Sequence, residues 1–224
     1  MANSNFGVLR VMNDDLVQPR RGFGTHGHSN MEILTYVVHG QLTHQDSMGT
    51  KESLGRGSIQ FMTAGTGVQH SEQNIGDTPL RFIQTWIVPK TTGLKPNYGS
   101  MDGSTFQDAR RNKVQHLVSS VNDKDVSTPV KINQSVDAYA AELELGKSAT
   151  IDLPAGRQGY LLCIEGAIDV SGQRLSKYDA CEITGAGGSL EITAVQVEPT
   201  ESGEVAHFLM YSMQQVQGSG RSDF

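Results

Sequence analysis

Short hydrophobic runs recur along nearly the whole chain, and most are rich in β-branched and aromatic residues. They are EILTYVV, SIQFM, RFIQTWIV, AYAAELEL, GYLLCIE and HFLMYSM, and glycine-containing turns such as DSMG, TAGTG and PAGRQG separate them. Many short strands at this spacing predict an all-β sandwich or jelly roll. One helix is predicted within residues 104–120, where a weak apolar stripe has helical spacing.

The hydrophobic pattern also repeats once within the chain. EILTYVVHGQL, with its glycine at Gly40, matches GYLLCIEGAI, with its glycine at Gly166. LGRGSIQFMTAGTG matches LSKYDACEITGAGG in the same order. An internal repeat of this kind predicts two similar β-domains. We place them at residues 1–90 and 130–216, joined by a connecting segment at 91–129 and followed by a disordered tail at 217–224.

Composition narrows the classes of function. Hydrophobic residues make up 37% of the 224, enough for a sizeable core, and the net charge of −6 gives no electrostatic footprint for nucleic acid. No apolar run is long enough to span a membrane, and the N-terminal MANSNFGVLR lacks the layout of a signal peptide. Cys163 and Cys181 lie outside any CxxC pattern and are predicted to be free thiols. We expect a cytoplasmic monomer.

Two pairs of side chains in the first third of the chain have the spacing of metal ligands. His26 and His28 form one i, i+2 pair, and His70 and Glu72 form another. In an extended strand this spacing points both side chains to one face. Three imidazoles and one carboxylate suit Fe(II), Mn(II), Ni(II), Cu(II) or Zn(II) better than calcium or magnesium. The alternative is four separate surface or turn residues, which two such pairs beside glycine-rich segments disfavour.

The second repeat lacks these ligands. Aligned on the repeat, the first pair falls opposite Asp152 and Pro154, and the second pair falls opposite Glu191 and Thr193. No histidine occurs between residues 116 and 207. The sequence therefore predicts one metal ion per chain, held by the first domain.

The residues around the ligand pairs resemble the two motifs of the cupin superfamily. THGHSNMEILTYVVHG is similar to G-x5-H-x-H-x3,4-E-x6-G, and GVQHSEQN is similar to G-x2-H-x3-N. Seven residues instead of six separate Glu32 from Gly40, and TAGTG replaces P-x-G; both features, together with HQDSMG, resemble the pirin family. The resemblance covers most of the chain. It implies a bicupin of two double-stranded β-helix (jelly-roll) domains, with Glu72 as the carboxylate ligand.

Two features depart from the pirin pattern. Pirins usually carry proline between the two histidines of the first motif, where this chain has Gly27, so we expect a less rigid segment there. Pirins also begin with a longer stretch, so we expect one sheet edge and one pocket wall to differ.

The resemblance implies a quercetin 2,3-dioxygenase, which would cleave the ring of a flavonol with O2. In this hypothesis Glu72 is both metal ligand and general base for the 3-hydroxyl proton. Fe(II) is the expected ion, with Zn, Mn, Ni, Co and Cu as alternatives. A second hypothesis is a regulatory metal-binding protein, acting as a transcription cofactor or redox sensor for a protein partner without turnover. A third is a storage or scaffold cupin with incidental metal.

Several other residues are candidates for the pocket or its surroundings. Phe23, Met62, Gln84 and Trp86 line the mouth of the barrel or else pack in the core. Glu32 is expected to be solvated or beside the metal ligands, and His44 to be a turn residue bonded to Asp46. His39, His116 and His207 are expected to be exposed or internally satisfied.

Overall fold

A computed structural model describes residues 5–185 and 187–215, and it is almost entirely β, as predicted. The predicted tail at 217–224 lies outside these residues. The described chain forms two compact units. The N-terminal unit consists of residues 8–107 and 120–134, and the C-terminal unit consists of residues 5–7, 108–119 and 135–215.

The N-terminal unit is built from two antiparallel sheets. Its strands are β1 (Leu9–Val17), β2 (Arg21–His28), β3 (Glu32–His39), β4 (Leu42–Asp46), β5 (Lys51–Leu54), β6 (Ile59–Thr63), β7 (Val68–Asn74), β8 (Leu80–Ile87), β9 (Asn97–Met101) and β11 (Val130–Ile132). One sheet has the order β1-β8-β3-β6-β9, and the other has the order β2-β7-β4-β5. β11 contacts β6 and β9.

The C-terminal unit repeats this plan. It contains a short helix, α1 (Gln107–Arg110, whose first residue belongs to the N-terminal unit), and the strands β10 (Gln115–Ser120, whose last residue belongs to the N-terminal unit), β12 (Val136–Leu143), β13 (Ser148–Leu153), β14 (Arg157–Glu165), β15 (Ala167–Val170), β16 (Gln173–Ser176), β17 (Ala180–Ile183), β18 (Gly188–Gln196), β19 (Glu198–Thr200) and β20 (Gly203–Gln214). One sheet runs β10-β12-β20-β14-β17, with β19 paired to β20, and the other runs β13-β18-β15-β16.

The two repeat glycines occupy the same structural position in each unit. Gly40 and Gly166 follow β3 and β14, with φ angles of +74° and +70°. A Cβ on Gly40 would lie 2.3 Å from the carbonyl oxygen of Pro79, and one on Gly166 would lie 2.4 Å from that of Gln196. Only glycine suits a left-handed turn this close to another backbone. The repeat in the sequence is therefore a repeat in the fold.

Each unit has its own apolar core between its two sheets. In the N-terminal unit one cluster consists of Val17, Val37, Leu42, Leu54, Leu80 and Phe82. In the C-terminal unit a larger cluster includes Leu161, Cys163, Ile168, Ile192, Phe208 and Met210. Alternate residues of the strands supply these side chains, as the period of two requires.

The helix predicted within residues 104–120 is wrong for most of its length. α1 has four residues, and β10 occupies the end of the segment. The reason is the short spacing between apolar residues, which in QHLVSS suits a buried strand better than one face of a helix. The predicted connecting segment at 91–129 holds β9, α1 and β10, and β9 pairs with β6. Among the described residues, no helix is long and apolar enough to cross a membrane.

Both cysteines are free thiols, as predicted. Cys163 is fully buried, and burial raises the pKa of its thiol to about 12. Burial also raises the pKa of Cys181. Both groups therefore stay protonated and unreactive at neutral pH.

Candidate metal centre

Three of the predicted ligands converge where β2 and β7 pair. His26 lies directly opposite His70 in the antiparallel register, and His28 lies opposite Val68. The imidazole Nε2 atoms of His26 and His70 are 3.1 Å apart. One ring nitrogen from each of the three histidines lies within 4.8 Å of those of the others. The i, i+2 spacing on β2 thus places His26 and His28 beside His70.

The surroundings of the three rings leave their nitrogens in a form that can bind a metal ion. The Nδ1–H of His26 donates to the carbonyl oxygen of Gly24 over 2.8 Å, which leaves Nε2 with its lone pair. The Nε2 of His28 is buried without a hydrogen-bond partner in the described structure. Burial and the neighbouring His26 lower the pKa of His28, and burial and three neighbouring histidines lower the pKa of His70 to about 3. Both rings are therefore neutral, the form that binds metal.

Glu72 lies on the same inward face of β7 as His70 but points toward a different set of neighbours. Its carboxylate and ring nitrogens of His70 and His44 lie within 4.8 Å of one another. Its Oε1 accepts hydrogen bonds from Thr35 (3.2 Å) and Gln60 (3.0 Å), and its Oε2 accepts one from Gln84 (2.6 Å). Burial raises the pKa of Glu72, and the hydrogen bonds from Gln84 and Thr35 act in the opposite direction.

The donor set fits a divalent transition metal. Three imidazoles with converging nitrogens are borderline ligands, and the carboxylate of Glu72 lies within 4.8 Å of a ring nitrogen of His70. The unpartnered Nε2 of His28 is a buried polar atom that needs a partner, and a metal ion would supply it. Such a site would be open on the side of β2, because His26 is exposed and His28 is half-buried.

The four predicted pocket residues have different surroundings. Phe23 is 43% exposed and its ring packs edge-to-face on Phe82. Trp86 packs edge-to-face on His28 and donates its indole N–H to the Oε1 of Gln84 over 3.0 Å. Met62 is buried in a cluster with Ile33 and Val68. Gln84 thus contacts Glu72 and Trp86 contacts His28, whereas Phe23 lies opposite Glu72 in the pairing of β2 with β7 and Met62 packs in the core.

The expectation for Glu32 is wrong. Its side chain is fully buried and lies away from the histidine cluster. Its Oε1 accepts hydrogen bonds from Thr63 (3.1 Å) and from the backbone and side-chain amides of Asn133 (2.8 and 3.0 Å), and its Oε2 accepts one from the backbone amide of Gln134 (2.8 Å). Glu32 therefore fixes residues 133 and 134 within the N-terminal unit, a role that depends on contacts more than a hundred residues away.

His44 bonds Asp46 as expected, at 3.0 Å, but it is a strand residue and not a turn residue. It is fully buried and its ring stacks on Tyr98 with centroids 4.5 Å apart. His116 bonds Asp137, and His207 bonds Glu165, so both are internally satisfied.

Sequence reasoning missed Thr35 and Gln60, which together with Gln84 surround Glu72. A usable signal was present. Thr35 interrupts the apolar run EILTYVV, and Gln60 interrupts SIQFM, so each places a polar side chain where a buried strand should be apolar. A buried polar residue needs a partner, and here the partner is the carboxylate.

The register assigned to the second repeat is wrong by one residue. Pairing places Ile151 opposite Leu190 and Leu153 opposite Gly188, as His26 pairs with His70 and His28 with Val68. The true counterparts of the four predicted ligands, all on the inward face, are Ile151, Leu153, Leu190 and Ile192. Asp152 and Glu191 point outward and are exposed. A one-residue slip in a strand exchanges its two faces.

Comparison with known proteins agrees with this architecture. Two family models match the chain: Pirin over residues 2–87 and Quercetinase C-terminal cupin domain over residues 117–201. A pirin-like protein of Caulobacter vibrioides is 39% identical over 81% of this chain and 76% of its own length. A quercetin 2,3-dioxygenase of Escherichia coli K12 is 38% identical over 80% of this chain and 74% of its own length.

Solved structures give the same result. The crystal structure of YhhW from Escherichia coli has a TM-score of 0.81 at 31% identity, covering 95% of this chain and 84% of YhhW. A complex of this bacterial pirin with nickel(II) has a TM-score of 0.79 at 30% identity, covering 95% of this chain and 85% of the other. The molecule is thus a bicupin. More narrowly, it belongs to the pirin family.

Proposed function

We propose that this protein is a metal-dependent dioxygenase that cleaves flavonols such as quercetin with O2. The observation that carries the proposal is the cluster of three histidines next to a buried carboxylate. Two of the relatives and neighbours reported above support it, since one is named a quercetin 2,3-dioxygenase and the other is a pirin in complex with nickel(II).

His26, His28, His70 and Glu72 would hold one divalent transition metal, for which we propose Fe(II). When bound, such an ion would hold the deprotonated 3-hydroxyl oxygen of a flavonol and withdraw its negative charge. The exposed position of His26 on β2 leaves the side facing solvent accessible to a planar substrate. Trp86, whose ring packs on His28, and the exposed ring of Phe23 are the aromatic side chains that we propose pack on the flavonol.

Glu72 is the proposed general base. Because burial raises its pKa, its carboxylate accepts a proton more readily than an exposed glutamate does. Gln60, Thr35 and Gln84 donate hydrogen bonds that fix its orientation, and Trp86 in turn fixes Gln84. The carboxylate would take the 3-hydroxyl proton, and the three donors would keep it aimed at the site.

The test is oxygen consumption and loss of the flavonol absorbance when quercetin is added to protein loaded with Fe(II), Mn(II), Ni(II), Co(II), Cu(II) or Zn(II) in turn. Turnover with at least one ion, removed by a chelator and restored by the ion, is the expected result. Metal binding without turnover for any ion would reject the enzyme and favour a pirin-like regulatory protein that binds a protein partner.

A further inference from the structure

We propose that His44 and Asp46 position the ligand His70, the Nδ1 of His44 accepting a hydrogen bond from the Nδ1–H of metal-bound His70. The inference rests on the metal site proposed above but not on dioxygenase activity. It makes His44 and Asp46 positioning residues that never touch the ion.

The three residues lie on neighbouring strands. β4 and β7 are paired so that Asp46 lies opposite His70 and His44 lies opposite Glu72. The rings of His44 and His70 have centroids 5.4 Å apart. A ring nitrogen of His44 lies within 4.8 Å of a ring nitrogen of His70, so the two rings are close neighbours in the described structure.

The hydrogen bonds of Asp46 determine which nitrogen of His44 carries the proton. Its Oδ1 accepts from the backbone amides of Met48 (2.9 Å) and Thr50 (3.0 Å), so the carboxylate is held firmly. Its Oδ2 lies 3.0 Å from the Nε2 of His44. A carboxylate only accepts, so the Nε2 of His44 carries the proton and its Nδ1 is left as an acceptor.

His70 presents the complementary group. Its Nε2 faces the Nε2 of His26 at the point where the ligands converge, so a metal there leaves the proton on Nδ1. The Nδ1 atoms of His44 and His70 are both buried without a hydrogen-bond partner among the residues described. One is an acceptor and the other a donor, and leaving either group buried without a partner is unfavourable. Metal-bound imidazoles almost always donate their second N–H to such an acceptor.

The C-terminal unit, which lacks the ligand histidines, provides two comparisons for the pair of His44 and Asp46. Val170 occupies the position equivalent to His44 in the unit that lacks ligand histidines. His116 and Asp137 of the C-terminal unit form a pair of nearly the same geometry, with a 2.9 Å contact and a ring stacked on Tyr139 at 4.5 Å. That pair has no histidine cluster beside it among the described residues, so it serves as a matched control.

The test compares His44→Phe, Asp46→Asn and the double variant with His116→Phe, by competition measurements of the Kd for Zn(II). Phenylalanine keeps the stacking on Tyr98 but has no acceptor nitrogen. Asparagine can donate to the Nε2 of His44, which moves the ring proton to Nδ1, where it opposes the proton of His70. We expect each single variant to weaken binding about 10–100-fold. The double variant should be no weaker than the worse single variant, and His116→Phe should leave the Kd unchanged.

A second readout separates positioning from simple stabilisation of the fold. In the Zn(II)-loaded protein, the Nδ1 proton of His70 should give a slowly exchanging imidazole NMR signal, absent in His44→Phe. If the losses in binding free energy of His44→Phe and Asp46→Asn add in the double variant, the two residues act independently and the inference is wrong. It is also wrong if the Kd changes less than twofold in folded Asp46→Asn. If the unaltered protein binds no divalent ion, the metal site itself is wrong.

Discussion

The inward face of the N-terminal unit carries histidines and a glutamate where the C-terminal unit carries aliphatic side chains. The ligand positions His26, His28, His70 and Glu72 correspond to Ile151, Leu153, Leu190 and Ile192. The donors around Glu72 change in the same way, because Thr35, Gln60 and Gln84 correspond to Leu161, Cys181 and Met210. The order of the eight equivalent strands is unchanged, since β1-β8-β3-β6 corresponds to β12-β20-β14-β17 and β2-β7-β4-β5 to β13-β18-β15-β16, whereas β9 and β10 lie at opposite ends of their sheets.

This difference separates the apolar interior, which is sufficient for the fold, from the buried polar side chains, which only the metal site requires. The C-terminal unit shows that the sheets close around an apolar interior without any ligand. In the N-terminal unit, a buried carboxylate and several buried polar atoms replace part of that apolar interior, and burying such groups is unfavourable unless each has a partner. Thr35, Gln60 and Gln84 supply the partners of Glu72, which is why the whole set differs between the units and not the ligands alone.

The largest effect should come from His70→Ala. His70 is the ligand shared by both groups of side chains that could hold a metal, so its loss should abolish metal binding and turnover. His44→Ala should reduce metal content much less. Leu190→Ala at the corresponding position of the other unit should lower the free energy of unfolding by about 0.5–3 kcal/mol and leave one ion per chain. Metal analysis measures the metal content of the three variants, and thermal unfolding measures their stability. Equal metal content in His70→Ala and His44→Ala would show that His70 is not a ligand.

Glu72→Gln should separate metal binding from chemistry. Three imidazoles remain, so much of the metal should be retained, but an amide cannot take the 3-hydroxyl proton. We expect turnover of quercetin to fall roughly 10²–10⁴-fold. Turnover should partly recover at higher pH, where the substrate ionises unaided. Ile192→Val, at the corresponding position, should turn over normally, and near-normal turnover by metal-replete Glu72→Gln would refute the role of base.

The metal-free protein should lose stability in acid because of His70. Its pKa is lowered to about 3 from the ordinary 6.5, so between these values the unfolded chain binds a proton that the folded chain does not. The free energy of unfolding therefore falls as the pH falls from about 6.5 to about 3. His70→Leu, which copies the C-terminal unit, should flatten this dependence in denaturant titrations at several pH values. An equally steep dependence in His70→Leu would assign the effect to other groups.

Gln84→Met should give the smallest change, a shift in the pH dependence of turnover. The hydrogen bond from Gln84 lowers the pKa of Glu72 by stabilising its ionised form, so its removal should raise that pKa. The acidic limb of the pH–turnover profile should then move to higher pH. Trp86→Phe, which removes only the bond that orients Gln84, should move the limb less. A shift to lower pH in Gln84→Met would contradict the proposed base.

Periodicity and turn residues were sufficient to predict the all-β fold and the internal repeat, because strand pairing at short range follows from them. They also placed His26 and His28 beside His70. They did not give the correct register of the second repeat, since an alignment by pattern cannot detect a one-residue difference in a loop. They also failed for Glu32, and for His44 they gave the bond to Asp46 but not the buried strand position beside Tyr98. The surroundings of both residues come from strands distant in sequence.

The hydrogen bonds of Glu32 have a consequence for how the chain is made. Asn133 and Gln134, which bind this buried carboxylate, are synthesised about a hundred residues after it. A ribosome that has released only the residues up to 107 has therefore released a unit in which Glu32 keeps the hydrogen bond from Thr63 but lacks its amide donors. Burying a polar group without its full set of partners is unfavourable.

The same holds for any expression boundary drawn at the end of the first repeat. A shortened form that keeps the metal centre needs residues 120–134 to complete its own unit. Residues 5–7 can pack only after the C-terminal unit has been synthesised, because Phe6 packs on Tyr160 of that unit. Residues 5–7 are thus synthesised before the N-terminal unit but pack only after most of the C-terminal unit has been made.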